Sequence, residues 1–205
     1  MPKLFHLRCS PRGDSVSGAA AGAFLERFHA TRPDWDIDTL DLWREPLPEF
    51  DGAALSAKYA RQGGQPFDAA QREAFAVIER MAMRFALADR VLISTPMWNF
   101  GIPYKLKHWI DLIVQPGIAF SFDPATGYRG LMPDRPTLVI LASGSDYVTG
   151  MSRGRPDMAT PYLREMLRFI GIGDISFVAI GPTAGGGAAA LEAAKAKLEG
   201  MAARF

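Results

Sequence analysis

The sequence has a single cysteine, Cys9, among its 205 residues. One thiol excludes an intrachain disulfide framework and any zinc site built from several cysteines. The three histidines (His6, His29 and His108) show no H-x-x-x-H or related ligand spacing, so we expect no bound metal. Because Cys9 follows a predicted buried strand, we interpret it as an inert core residue rather than a redox thiol.

The sequence also lacks a charge excess and a long apolar run. Its 23 Lys and Arg residues against 22 Asp and Glu residues leave a formal net charge of +1, which gives no reason to expect a nucleic-acid or anionic-membrane partner. No run of about 18 apolar residues and no charged-then-apolar leader occurs, so neither a membrane span nor a signal peptide is indicated. For this reason we expect a cytoplasmic protein. Since a chain of this length buries about 70% of its unfolded surface, we also expect one domain over residues 1–205.

What is present is an alternation of short apolar runs with longer amphipathic segments. The predicted strands cover residues 3–7, 36–42, 90–95, 136–143 and 175–180. The predicted helices cover residues 19–31, part of 51–64, 69–87, 103–114, 159–170 and 188–203. This alternation is typical of a parallel sheet that is covered on both faces. The sequence therefore predicts an α/β fold, a three-layer, doubly wound sandwich with a five-stranded parallel sheet.

Ligands of an open parallel sheet bind beyond the carboxyl ends of the strands, so the first loop after a strand, residues 9–17, is a candidate site. It carries Ser10, Ser15 and Ser17 and leads into a helix whose first N–H groups suit a phosphate, and Arg12 adds a positive charge. The alternative is that Ser15 or Ser17 only caps the helix. The loop contains neither G-x-G-x-x-G nor a Walker A sequence, which disfavours a dinucleotide fingerprint or a Walker A site.

A second loop, residues 95–103, reads TPMWNFGIP. Its two prolines stiffen the backbone, Gly101 permits close approach, and Trp98 and Phe100 supply flat apolar surface. These features favour a planar heteroaromatic ligand. The alternative is that both aromatic side chains only cover the edge of the sheet.

Together these segments resemble the FMN-dependent NADH-azoreductases, which are flavodoxin-like NAD(P)H:quinone oxidoreductases. The resemblance rests on SPRG at 10–13, SVS at 15–17, PMWNFGIP at 96–103, LK at 106–107, WID at 109–111, PYL at 161–163 and FIGI at 169–172, and on Gly117 with Phe120 and Phe122. It runs from residue 3 to about 180, and the aromatic loop is its most specific part. It implies the strand order 2-1-3-4-5 and a single flavodoxin-like FMN-binding domain over residues 1–205.

The resemblance, read with the two loops, also predicts which residues bind the cofactor. The predicted FMN-binding residues are Ser10, Arg12, Ser15, Val16, Ser17, Pro96, Met97, Trp98, Asn99, Phe100, Ser143, Gly144, Ser145 and Asp146. Family members more often have Tyr in place of Trp98. The last four residues depart from the family's usual Ser-Arg-Gly-Gly, because the arginine is missing and a carboxylate is gained. Asp146 either lies beside the flavin, where it would disfavour an anionic reduced form, or points to solvent.

The implied activity is an FMN-dependent oxidoreductase. NADH or NADPH reduces the flavin, which then reduces a quinone or an aromatic azo compound in a ping-pong hydride transfer that needs no catalytic side chain. We expect Phe120, Phe122, Tyr128 and Tyr162 to line the substrate position, the alternative for each being a core or dimer-interface role. The resemblance further implies a homodimer with active sites between the subunits.

Three other functions stay open at this point. One is an NADPH:FMN reductase or modulator-type quinone reductase of the same fold, which acceptor profiling would separate. A second is a non-enzymatic flavin electron carrier, although such carriers tend to be acidic and this chain is not. A third is a protein that has lost the flavin, which the altered segment at residues 143–146 suggests. Fold alone decides none of these.

Overall fold

Strands and helices alternate along residues 1–148 and 150–205, the part of the chain that the computed structural model describes. The strands are β1 (Lys3–Arg8), β2 (Asp36–Asp41), β3 (Arg90–Pro96), β4 (Phe120–Asp123), β5 (Gly127–Gly130), β6 (Thr137–Ala142) and β7 (Ile175–Ile180). Five of them form a parallel sheet in the order β2-β1-β3-β6-β7. Numbered within the sheet, this order is 2-1-3-4-5, so the predicted fold class is confirmed.

Four of the helices begin where a polar side chain accepts hydrogen bonds from the first N–H groups. The helices are α1 (Val16–Thr31), α2 (Gly52–Gln62), α3 (Ala69–Ala86), α4 (Tyr104–Ile113), α5 (Ala159–Phe169) and α6 (Ala188–Ala202). Helix α1 begins three residues before its predicted start, because the Ser15 side chain accepts a hydrogen bond from the Gly18 N–H at 3.2 Å. None of the helices in the described ranges has the length and apolarity needed to cross a bilayer.

The core lies on both faces of the sheet, because successive strand residues point to opposite sides. On one face Phe5 and Leu7 pack with residues of α3, α4 and α5. On the other face Leu4 packs with residues of α1 and α6. Strand β6 is buried along its whole length, as its continuous apolar run predicts. Two covered faces leave the carboxyl edge of the sheet as the place where a ligand can enter.

An antiparallel hairpin formed by β4 and β5 has no counterpart among the predicted elements. Phe122 lies opposite Tyr128, and the Asp123 carboxylate accepts hydrogen bonds from the N–H groups of Ala125 and Thr126 in the turn. The signal in the sequence is the alternation FSFD followed by a proline and, three residues further on, a glycine. Four-residue strands are short enough for this alternation to be overlooked.

Candidate active site

The loops that follow β1, β3, β6 and β7 surround one polar cavity of about 650 Å³ at the carboxyl edge of the sheet. It lies at the point where the strand order reverses, between β1 and β3, which is where ligands of such folds bind. Nine of the fourteen predicted cofactor-binding residues line it, namely Ser10, Arg12, Ser15, Val16, Ser17, Pro96, Met97, Trp98 and Gly144. Residues predicted from separate stretches of sequence therefore share one cavity.

The end of this cavity beside α1 is rich in hydrogen-bond donors. Ser17 is 1% exposed, and its Oγ makes no hydrogen bond with any described residue. Ser10 is also buried, and the first N–H groups of α1 have no partner inside the helix. A buried hydroxyl without a partner is unfavourable, so this end fits an anionic ligand that brings its own acceptors.

Arg12 does not contribute a free charge to this end. Its guanidinium lies 2.9 Å from the Asp14 carboxylate, and both side chains line the cavity while remaining largely exposed. The hydrogen bond and charge of Asp14 raise the pKa of Arg12, and the same pair lowers the pKa of Asp14. The two charged side chains of the lining therefore neutralise each other.

The aromatic loop makes a tight turn beside the cavity. Trp98 and Gly101 exchange two backbone hydrogen bonds of 2.9 Å, and the residues between them, Asn99 and Phe100, have φ values of +49° and +69°. Positive φ at both central positions is the geometry of a type I′ turn, which is strained for a bulky residue such as Phe100. Neither central residue is part of the cavity lining; both lie exposed at the tip.

The strained turn is held from outside. The Phe100 carbonyl accepts a hydrogen bond from the Met158 N–H at 3.0 Å, and the Arg155 guanidinium lies 5.7 Å from the centre of the Phe100 ring. At the base of the loop the Met97 N–H donates to the Ala142 carbonyl at 2.7 Å. The position of Trp98 is therefore determined by β6 and by the segment that precedes α5.

Trp43 is a neighbour of the site that the sequence analysis did not identify. Its Nε1 donates to the Cys9 carbonyl at 3.0 Å, and its ring centre lies 5.9 Å from that of Trp98 and 5.5 Å from that of Tyr104. It connects the loop after β1 to the aromatic loop. The feature of the sequence that could have identified Trp43 is its position just after β2, at the same edge of the sheet.

The segment after β6 divides between two cavities. Ser143 is buried, and its hydroxyl donates to the Ser145 carbonyl at 2.8 Å. Gly144 lines the polar cavity, whereas Ser145 and Asp146 line an adjoining one of about 580 Å³ that shares Gly144 and Ala184 with it. Asp146 is exposed and accepts a hydrogen bond from the Val148 N–H at 3.0 Å. The Asp146 side chain thus borders the adjoining cavity and is not part of the lining of the polar one.

The predicted substrate residues lie elsewhere in the same chain. Phe120, Tyr128 and Tyr162 line a mostly apolar groove of about 570 Å³ between the hairpin, α4 and α5, and Phe122 lies outside it on the hairpin with 56% of its surface exposed. Burial raises the pKa of Tyr162 to about 12. Among the described residues this groove and the polar cavity have no lining residue in common.

Comparison with known proteins agrees with this geometry. Residues 2–204 match the model of the family described as "Flavodoxin-like fold". The chain is 69% identical over 185 residues to the FMN-dependent NADH:quinone oxidoreductase 1 of Bradyrhizobium diazoefficiens, an alignment that covers 90% of this chain and 89% of that protein. It is 42% identical over 175 residues to the FMN-dependent NADH:quinone oxidoreductase 3 of Pseudomonas fluorescens, with 84% and 81% covered.

Solved structures of similar proteins include azoreductases. The azoreductase from Bacillus anthracis strain Sterne superposes with a TM-score of 0.89 at 25% identity over 100% of both chains. An FMN-dependent NADH-azoreductase from Bacillus anthracis strain Ames Ancestor, solved in complex with FMN, gives a TM-score of 0.85 at 28% identity over 100% of this chain and 99% of that one. With its sheet order, its polar cavity and these relatives, the chain belongs to the flavodoxin-like FMN-dependent NADH:quinone oxidoreductase and azoreductase family, as its motifs predict.

Proposed function

We propose that this protein is an FMN-dependent oxidoreductase that uses NADH to reduce quinones, and aromatic azo compounds as further acceptors, with its cofactor in the polar cavity. The observation that carries the proposal is the buried Ser17 hydroxyl, which has no partner among the described residues and lines the cavity at the start of α1. The phosphate of FMN supplies the acceptor atoms that this end lacks.

At the phosphate end the chain contributes neutral donors. Ser10, Ser15 and Ser17 offer hydroxyl groups, and the N-terminus of α1 offers N–H groups with a favourable dipole. Because Arg12 is paired with Asp14, the binding of the dianion depends on these donors rather than on a free cation. Hydrogen bonds to a charged group are about twice as strong as neutral ones.

At the ring end the chain contributes a fixed, apolar wall. Pro96, Met97 and Trp98 line the cavity, and Trp43 packs against Trp98 on its outer side. In a type I′ turn the backbone bonds join only the first and fourth residues, so the N–H groups of Asn99 and Phe100 stay available to the polar edge of a flavin. When bound, FMN supplies two-electron transfer between a nicotinamide and a quinone. The residues here orient two flat rings against each other and exclude water.

The position of the aromatic groove leads us to propose a homodimer with active sites at the interface. Within one chain, Phe120, Tyr128 and Tyr162 line a groove that shares no lining residue with the cofactor cavity, which favours their contact with the flavin of a second copy. Phe122 and Tyr128 are 56% and 62% exposed on a short hairpin. In a single chain they leave a large apolar area in contact with solvent. The proposal includes a single FMN-binding domain over residues 1–205 and a cytoplasmic location, where NADH is available.

The experiment that tests the function is an absorbance spectrum of the purified protein, taken under anaerobic conditions before and after NADH and again after menadione. We expect flavin bands near ~450 nm that NADH bleaches and the quinone restores. Bands that NADH does not bleach would indicate an electron carrier instead. A colourless protein that FMN does not reconstitute would contradict the proposal and its site.

A further inference from the structure

The turn after β7, Thr183–Gly187, lines the polar cavity and belongs to none of the predicted binding segments. We infer that this turn and the N-terminus of α6 form a second anion-binding element, which shares the phosphate of FMN with the N-terminus of α1. The inference rests on the proposed function, because it concerns the same cofactor. It assigns a role to residues that neither the motifs nor the family resemblance identified.

The N-terminal ends of α1 and α6 approach each other closely. Gly187, the residue before α6, has a φ of +36°, and a side chain built on it would place its Cβ 2.7 Å from Cγ2 of Val16, the first residue of α1. Real Cβ atoms essentially never come so near another carbon, so only glycine permits this approach. The starts of α1 and α6 therefore lie side by side at one cavity.

Hydrogen bonds hold the turn in place. The Thr183 N–H and the Thr183 hydroxyl both donate to the Ser143 carbonyl at 3.0 Å, and the Ala184 N–H donates to the Gly144 carbonyl at 3.1 Å. These bonds join the turn to the segment after β6, which is where this sequence departs from the family pattern. The turn is therefore a fixed part of the cavity wall.

The part of the cavity beside this turn is electropositive. Neither helix has an acidic residue in its first turn, and within the described part of the chain no side chain caps the N-terminus of α6. Each helix N-terminus carries about half a positive charge, even though Ser15 accepts from the Gly18 N–H in α1 and the Gly186 carbonyl accepts from the Ala188 N–H in α6, and Arg12 and Asp14 cancel each other. The unpartnered hydroxyl of Ser17, 1% exposed, lines the same cavity. Two helix dipoles and the unpartnered Ser17 hydroxyl favour a dianionic ligand over a neutral one.

The test compares FMN with riboflavin, which has the same ring and no phosphate. Ala184 is exposed and lines the cavity, so Ala184→Asp and Ala184→Asn differ in one charge at the same place. We expect Ala184→Asp to weaken FMN binding about tenfold relative to Ala184→Asn and to leave riboflavin binding equal in the two variants. The dissociation constants are measured by quenching of flavin fluorescence on the full-length protein freed of cofactor.

A second variant keeps the inference testable if Ala184→Asp does not fold. Ala188→Glu puts a carboxylate at the first residue of α6, where it stabilises the helix, so we expect a higher melting temperature together with FMN binding weakened about two- to fivefold. Ala196→Glu, at an exposed position two turns further along α6, is the matched control. It should change neither the melting temperature nor FMN binding. The effect of Ala188→Glu should shrink at high salt.

The outcomes separate the inference from the proposed function. If the unaltered protein binds no FMN, the function itself is wrong. If it binds FMN but the charged variants weaken FMN and riboflavin equally, the turn contacts the ring or ribityl chain and the inference is overturned. Unchanged affinities for both flavins would also overturn it. Selective weakening of FMN alone supports it.

Discussion

At the scale of single residues, the Ser17 hydroxyl links stability to cofactor binding. A buried hydroxyl without a partner costs about 1–3 kcal/mol in the cofactor-free protein, and a phosphate removes that cost by accepting its hydrogen bond. We therefore expect Ser17→Ala to raise the free energy of unfolding of the cofactor-free protein by about 1 kcal/mol while it weakens FMN binding. Urea unfolding and flavin titration measure the two effects.

Ser15 is the matched control, because its hydroxyl already accepts a hydrogen bond from the Gly18 N–H. Ser15→Ala should therefore lower the stability of the cofactor-free protein by about 1 kcal/mol, the opposite sign. A Ser17→Ala protein that is less stable than the unaltered one would mean that the Ser17 hydroxyl is satisfied in the folded state, and the main argument for the phosphate site would be lost.

His6 makes stability depend on pH. Burial lowers its pKa to about 4, with the charge of Arg8 as a smaller cause, and its ring contacts the Ser94 and Thr39 hydroxyls at 2.9 and 3.4 Å. Between about pH 4 and 6.5 the unfolded chain binds a proton at this position that the folded chain does not. We expect the free energy of unfolding to fall as the pH is lowered through this window, by up to about 3 kcal/mol.

The measurement is a series of urea unfolding curves between pH 7 and pH 4. His6→Gln should remove this part of the slope, whereas His29→Gln, at an exposed position on α1, should leave it unchanged. The pH dependence of the free energy of unfolding is compared rather than its absolute value, since His6→Gln also alters the hydrogen bonds of His6 with Ser94 and Thr39. Equal slopes in all three proteins would show that His6 is not the group that titrates.

At the scale of elements, the hairpin of β4 and β5 depends on a close contact with the end of α5. A Cβ added to Gly130 would overlap the backbone at Ile170 and Gly171. Because backbone atoms cannot move aside as a flexible side chain does, we expect Gly130→Ala to destabilise the protein by about 3 kcal/mol. Chemical denaturation measures the loss.

Gly200→Ala is the control for this substitution. Gly200 lies inside α6 with nothing within 4 Å of an added Cβ, so alanine should stabilise the protein there by about 0.5–1 kcal/mol. If Gly130→Ala were as well tolerated as Gly200→Ala, the hairpin would not need to pack against the end of α5. Its aromatic side chains would then lack the fixed position that the proposed substrate site requires.

At the scale of the whole molecule, the proposed dimer joins the aromatic groove of one copy to the cofactor cavity of the other. Phe122→Asp and Tyr128→Asp place charges on the exposed face of the hairpin, and we expect monomers by analytical ultracentrifugation. The monomers should keep their flavin absorbance, because the cofactor cavity is built from one chain. They should lose quinone reduction.

Leu87→Asp is the control, since Leu87 is 68% exposed just before β3 enters the sheet, at the edge opposite the cavity. It should leave both mass and activity unchanged. A dimer that survives both hairpin substitutions, or a monomer with full quinone reductase activity, would contradict the proposed interface.

The sequence by itself determined the five strands of the parallel sheet and the main helices, and its motifs implied the order of the sheet and the family through the resemblance. The strands and helices follow from local patterns: the continuous apolar run of β6 and the amphipathic stripe of α3 record burial residue by residue. The loop motifs SPRG and PMWNFGIP likewise stand in the sequence as contiguous strings. The prediction missed the hairpin, because its two strands have only four residues each.

Tertiary structure alone decided how side chains from distant loops combine. Arg12 is neutralised by Asp14, Asp146 borders the adjoining cavity, Trp43 reaches Trp98, and the Thr183–Gly187 turn meets the start of α1. It also separated the aromatic groove from the cofactor cavity within one chain. The physical reason is that burial periodicity is written along the chain, whereas a cavity arises where loops far apart in sequence pack together, and no local pattern records which side chains meet there.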